Sequence, residues 1–155
     1  MNEYLVVKWL HVLSSTLLFG TGIGSAFYML FAGLHREPRI VWFVTRYVVI
    51  ADWIFTTTAV IVQPVTGFRL AWLAHFPLSS RWIAWSIALY LLAGACWLPV
   101  VWMQLRMREM ARAAMEAGVP LPARYTTYFR AWVALGVPAF FSLLIVFWLM
   151  VAKPA

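Results

Sequence analysis

YLVVKWLHVLSSTLLFGTGIGSAFYMLFAGL, Tyr4 to Leu34, is an almost uncharged run of the chain. It holds no acid, and its only basic side chains are Lys8 and His11. A hydrocarbon core about 30 Å thick needs roughly 20 helical residues. The stretch is longer than that, so it predicts a membrane-spanning helix that tilts or extends past the lipid. Lys8 and His11 both cost free energy there, and one helical turn separates them.

Three further segments share this character, at about 40–73, 81–105 and 126–152. The breaks between them have local causes. In HREPR, Pro38 restricts Glu37. In AHFPLSSR, Pro77 breaks the run, and Ser79 or Ser80 is placed to cap the next helix. In EAGVPLPAR, Gly118 can close a helix, and Pro120 and Pro122 stop its continuation. Gln104 to Ala117 reads as the third helix continuing beyond the lipid, with Arg and Glu at solvated spacing. The expected fold is all-α, a single four-helix transmembrane domain over residues 1–155.

Composition agrees. The chain is 65% hydrophobic and 11% charged, with mean hydropathy +0.84, against about 25% charged in soluble domains. The net charge of +7 would suggest nucleic acid in a soluble protein. Here it reads as basic loops, and no nucleic-acid motif is present. Cys96 is the single cysteine, which excludes intrachain disulfides and CxxC sites. MNEYLVV lacks a basic leader region, so the first helix is expected to be retained.

Charge orients the bundle. Arg36, Arg39 and Arg46 flank the first loop, and Arg106, Arg108, Arg112, Arg124 and Arg130 flank the third; these are eight of the 12 Lys and Arg. The positive-inside rule puts both loops in the cytoplasm and both termini outside, in a bacterial inner membrane.

Two polar stripes follow from helical spacing. On the first helix, His11 shares a face with Lys8, Ser15, Leu18, Gly22, Ser25 and Met29, and Gly20 and Gly24 have GxxxG spacing. Such glycines allow close approach of a helix or a flat cofactor, helix packing being the commoner use. The second helix carries Thr45, Asp52, Thr56, Ala59, Gln63 and Thr66 on one face. Asp52 lies roughly a third of the way along the span, counted from inside; a central ionisable group costs about 2.5–3.5 kcal/mol on insertion scales, so Asp52 should face the bundle interior, a partner or water. It either pairs with Thr, Tyr or Arg to hold the bundle or relays protons. Pro64 frees a backbone carbonyl nearby.

His11 has three readings: an interhelical hydrogen bond to Ser, Thr or Gln63, a titrating group on a proton path, or a ligand to haem iron. His75 is an interfacial loop residue or a second axial ligand, and His35 a solvated one. No HExxH, no Ser/His/Asp set and no phosphate loop occurs.

YLVVKWLHVL, LLFGTGIGSAFYMLF and YFRAWVALGVPAFFSLLIVFWLMVAKP resemble the first and last helices of the bacterial HemJ-type protoporphyrinogen oxidases. The whole chain looks still more like a group of small bacterial integral membrane proteins whose function is not established. The resemblance implies a four-helix inner-membrane protein that binds haem b. It carries over to Lys8 and His11 only. That family has an Arg near the inner end of helix one, where AFYMLF stands here, and a His and a Lys opening helix three, where RWIAWSIALY stands.

The leading expectation is a haem-b-type redox or electron-transfer protein, and so an oxidoreductase. His11 is the iron ligand, Lys8 a propionate partner and Asp52 a proton relay. The alternative is a non-enzymatic accessory or scaffold subunit that packs through its polar faces. A small transporter is a third, weaker fit without paired broken helices. The bilayer is the expected partner, with a second copy or a membrane redox protein beside it and no nucleic acid.

Overall fold

The computed structural model describes residues 2–154. Four helices account for nearly all of them: α1 (Glu3–His35), α2 (Pro38–Leu73), α3 (Arg81–Ala117) and α4 (Ala123–Ala152). No strand occurs among the described residues. All four are long and apolar enough to cross a membrane. α3, with 37 residues, is about 56 Å long at roughly 1.5 Å per residue, nearly twice the hydrocarbon thickness.

The boundaries follow from local chemistry. Asn2 caps α1, its side-chain oxygen accepting from the Tyr4 N–H at 3.1 Å. α2 begins at Pro38, two residues before the expected start, because proline suits the first helical position. α3 runs on to Ala117, as expected, and Gly118 closes it at φ 65°. Ser80 stands at the N-cap of α3 but does not cap it; its hydroxyl donates to the Pro77 carbonyl at 2.7 Å.

The second span is not one regular helix. Residues 38–51 and 57–73 are α-helical, and Asp52–Thr56 forms a π turn between them. The Asp52 carbonyl accepts both the N–H and the hydroxyl of Thr57, the latter at 2.9 Å. The turn also divides α2 by partner. Before it, the α2 backbone packs on both α1 and α3. After it, α2 stays with α1 and parts from α3. The molecule is therefore two hairpins, α1–α2 and α3–α4, whose backbones join mainly toward the arginine-rich end.

The core sits at that end. Met29, Val41, Val48, Val100, Met103, Met107, Ala111, Ala114, Leu121, Tyr125 and Trp132 form one buried cluster. Arg106 ends the charge-free run of α3, and Met107, Ala111 and Ala114 lie past it, where water replaces lipid and an apolar core gains free energy. Within lipid that drive is absent. The opposite half is correspondingly thin in buried apolar side chains.

The glycines correct one expectation. A Cβ on Gly20, Gly22 or Gly24 would meet nothing within 4 Å, so the GxxxG stripe is not a packing face within this chain. Close approach occurs at Gly33, where a Cβ would collide with the Phe129 ring of α4, and at Gly67, against the His11 ring.

Candidate functional site: a polar seam between the first two helices

His11 on α1 meets the second half of α2. Its Nδ1 lies 2.8 Å from Thr66 Oγ1. The Thr66 hydroxyl donates to the Val62 carbonyl at 2.7 Å, one turn back on its own helix. Its single proton is thereby used, so Thr66 Oγ1 accepts from His11 Nδ1–H. The neutral tautomer that follows carries its free lone pair on Nε2. The ring packs so close to Gly67 that a Cβ there would stand 3.2 Å from His11 Cε1.

One turn further, buried Ser14 donates to the side-chain oxygen of Gln63. Its hydroxyl also lies 3.1 Å from the His11 carbonyl. Gln63 and Thr66 occupy successive turns of one face of α2, as do Ser14 and His11 on α1. The stripe read from helical periodicity is thus real on α2: Thr45, Asp52, Thr56, Ala59 and Thr66 are all buried. Its Gln63–Thr66 portion bonds α1 directly.

Asp52 is buried at the π turn. Thr56 Oγ1 donates to its Oδ1 at 2.9 Å, and the Gln104 side chain of α3 lies beside it. Gln104 is two residues from Arg106, where the charge-free run of α3 ends. Asp52 therefore sits toward the arginine-rich end of the bundle, in keeping with its place about a third of the way along the span, where a charge costs less than at the centre. His11 and Asp52 are not brought together; they occupy opposite halves of α2.

Three groups were not anticipated. Ser14 makes the bond to Gln63, whereas Ser15, on the expected face, donates to the Val12 carbonyl of its own helix at 2.8 Å. Tyr90 of α3 donates to the Val60 carbonyl at 2.8 Å, where the α2 and α3 backbones part. The π turn at Asp52 is the third; no residue type in DWIFT signals it, and it coincides with the place where α2 exchanges neighbours.

Lys8 is exposed, with its Nζ 5.8 Å from the Tyr4 ring centroid on its own helix. Arg69 is held by Glu3, its Nε donating at 2.8 Å, which ties the start of α1 to the end of α2. His75 is exposed in the loop at φ 56° beside Trp72 and Phe76, and His35 is exposed at the end of α1. Among the described residues no three His, Cys, Asp or Glu side chains gather as for a bare metal ion. A porphyrin-bound iron asks less of the chain, since the macrocycle supplies four of its ligands and the protein only the axial ones.

Over residues 5–154 the sequence matches the profile of a family described as "Predicted integral membrane protein (DUF2269)". The chain belongs to this family. The match spans nearly the entire sequence, including all four helices, so the DUF2269 assignment covers the seam as well as the bundle. It supports a small multi-pass integral membrane protein in contact with the bilayer. It carries no link to the HemJ-type oxidases. No curated protein and no solved structure matches the chain.

Proposed function

We propose that this chain is a haem-b-type redox or electron-transfer protein of the bacterial inner membrane, with His11 as a ligand to the iron. One observation carries the reading: Thr66 fixes the His11 tautomer, leaving Nε2 as the free donor nitrogen. Ligating histidines almost always give their other ring N–H to a carboxylate, a backbone carbonyl or water, which orients the ring and raises its basicity; here the Thr66 hydroxyl takes that place. Gly67 makes room for the ring, since a Cβ there would stand 3.2 Å from Cε1. The backbones of α2 and α3 part in this half, where Tyr90 is what joins them. The donor set therefore fits a haem held through His11. Lys8, exposed at the same end, would pair with a propionate; Arg69 is already engaged by Glu3.

When bound, the haem would supply one-electron chemistry. The chain's own residues would hold and orient the imidazole, through Thr66 and through the Ser14–Gln63 bond that fixes α1 against α2. Asp52, toward the arginine-rich end of the bundle, would take up or release a proton there. The scaffold alternative draws less support from the geometry. The polar groups it would offer a partner are used within the chain, in Ser14–Gln63, His11–Thr66 and Asp52–Thr56.

The test is the absorption spectrum of the purified protein, as prepared and after haem is supplied. A Soret band that His11→Ala abolishes is expected. A colourless protein under both conditions overturns the haem reading. A band that survives His11→Ala removes this residue as the ligand.

A further inference from the structure

We propose that the seam of α3 and α4 formed by Trp102, Arg106, Arg124 and Tyr128 binds the phosphate headgroup of an anionic phospholipid. The four side chains are linked in series across the two helices. The Arg106 guanidinium lies 5.7 Å from the Trp102 ring, and Trp102 meets Tyr128 edge-on at 5.5 Å. Arg124 lies 5.3 Å from the Tyr128 ring and donates to its hydroxyl at 2.9 Å.

Among the described residues neither arginine has an acidic partner, although other arginines of α3 do. Arg108 pairs with Glu109 and Arg112 with Glu116. Two cations are thus held on an aromatic platform with their donors unspent on acids. Holding a guanidinium over a ring removes part of the ordering cost of binding and leaves its planar fork for a phosphate.

Depth selects the source of that phosphate. Arg106 is the first charge after the charge-free run 82–105 of α3, and Arg124 lies two turns before the charge-free run 131–152 of α4. Both therefore fall at headgroup level on the arginine-rich side. Trp102, 49% exposed, stands on the membrane side of Arg106, where tryptophan is favoured at the lipid–water boundary. A ligand whose acyl chains run along Trp102 and whose phosphate meets Arg106 and Arg124 satisfies both halves of the seam.

The test uses the full chain in a neutral detergent, with its thermal unfolding followed as lipid is added. Phosphatidylglycerol is expected to raise the midpoint saturably, and phosphatidylcholine and inorganic phosphate to leave it unchanged. Arg106→Gln with Arg124→Gln should weaken the phosphatidylglycerol response about tenfold or more, as loss of two charge-assisted contacts implies. Arg108→Gln with Arg112→Gln removes equal charge and should keep the response. Equal loss in both double variants would mean bulk charge attraction and overturns the site. A shift reproduced by inorganic phosphate overturns the lipid assignment. If the first double variant does not fold, Arg124→Lys serves instead, read by lipid retained in native mass spectrometry. It keeps the charge and loses the fork, so it should retain less phosphatidylglycerol; undiminished retention counts against the site.

Discussion

Tyr90 satisfies a carbonyl that Pro64 leaves open. In a regular helix the Val60 C=O would accept from the N–H of residue 64, and proline has none. The Tyr90 hydroxyl, 2.8 Å away on another helix, takes that place. This joins the two hairpins where their backbones have parted, and it explains how α2 carries a proline inside lipid.

The pair can be read by a double-mutant cycle. Tyr90→Phe alone should destabilise the bundle by about 1 kcal/mol, the loss of one hydrogen bond to an otherwise unpaired carbonyl. In a Pro64→Ala background the backbone N–H restored at that position reclaims the carbonyl, and most of that cost should vanish. Unfolding in mixed micelles measures both. Equal costs in the two backgrounds would mean that Tyr90 acts by packing alone.

Two sets of α1 glycines should respond oppositely to alanine. Gly33→Ala sets a Cβ against the Phe129 ring and should cost about 1–3 kcal/mol, as overpacking does. Gly22→Ala meets open space and should be neutral or slightly stabilising, through the gain in helix propensity. Phe129→Leu should relieve part of the Gly33→Ala cost. A destabilised Gly22→Ala would show instead that the small-residue stripe packs against a second copy of the chain.

Thr66→Val keeps the shape at the seam and removes the acceptor for His11 Nδ1–H. If His11 ligates haem, affinity measured by haem titration should fall about 10–100-fold, the usual effect of losing a partner behind a metal-bound histidine. Gly67→Ala, which presses on His11 Cε1, should perturb the Soret position even if haem still binds. Unaltered affinity in Thr66→Val would remove the tautomer argument.

Asp52 separates structure from proton handling. Asp52→Asn keeps a side-chain oxygen for Thr56 and an amide-sized group beside Gln104, so the fold should persist within about 1 kcal/mol. Asp52→Leu strands both partners and should cost more. As a proton relay, Asp52→Asn should lose turnover while keeping its fold and any haem spectrum. Full turnover in that variant would leave Asp52 a bundle-fixing residue.

Sequence alone established the spans and their order, although α2 and α4 start at Pro38 and Ala123 rather than at the expected 40 and 126. These depend on hydrophobic length, on proline and glycine at Pro38 and Gly118, and on where arginines stop a charge-free run. All are properties of a chain read one helix at a time. It also determined that α2 carries a polar face, because periodicity alone places Asp52, Thr56 and Thr66 together.

What those faces touch depends on how the helices pair in space. His11 could bond Ser, Thr or Gln63 on spacing grounds; the pairing of α1 with the second half of α2 selects Thr66 and gives Gln63 to Ser14. The same spacing made Gly20 and Gly24 look like a packing surface, yet the close approaches fall at Gly33 and Gly67. Lateral contacts between lipid-facing helices are set by which side chains interlock, since burial of apolar surface cannot rank one face above another inside a hydrocarbon solvent. The π turn at Asp52 coincides with the place where α2 leaves α3, and no local preference of the residues it contains requires it.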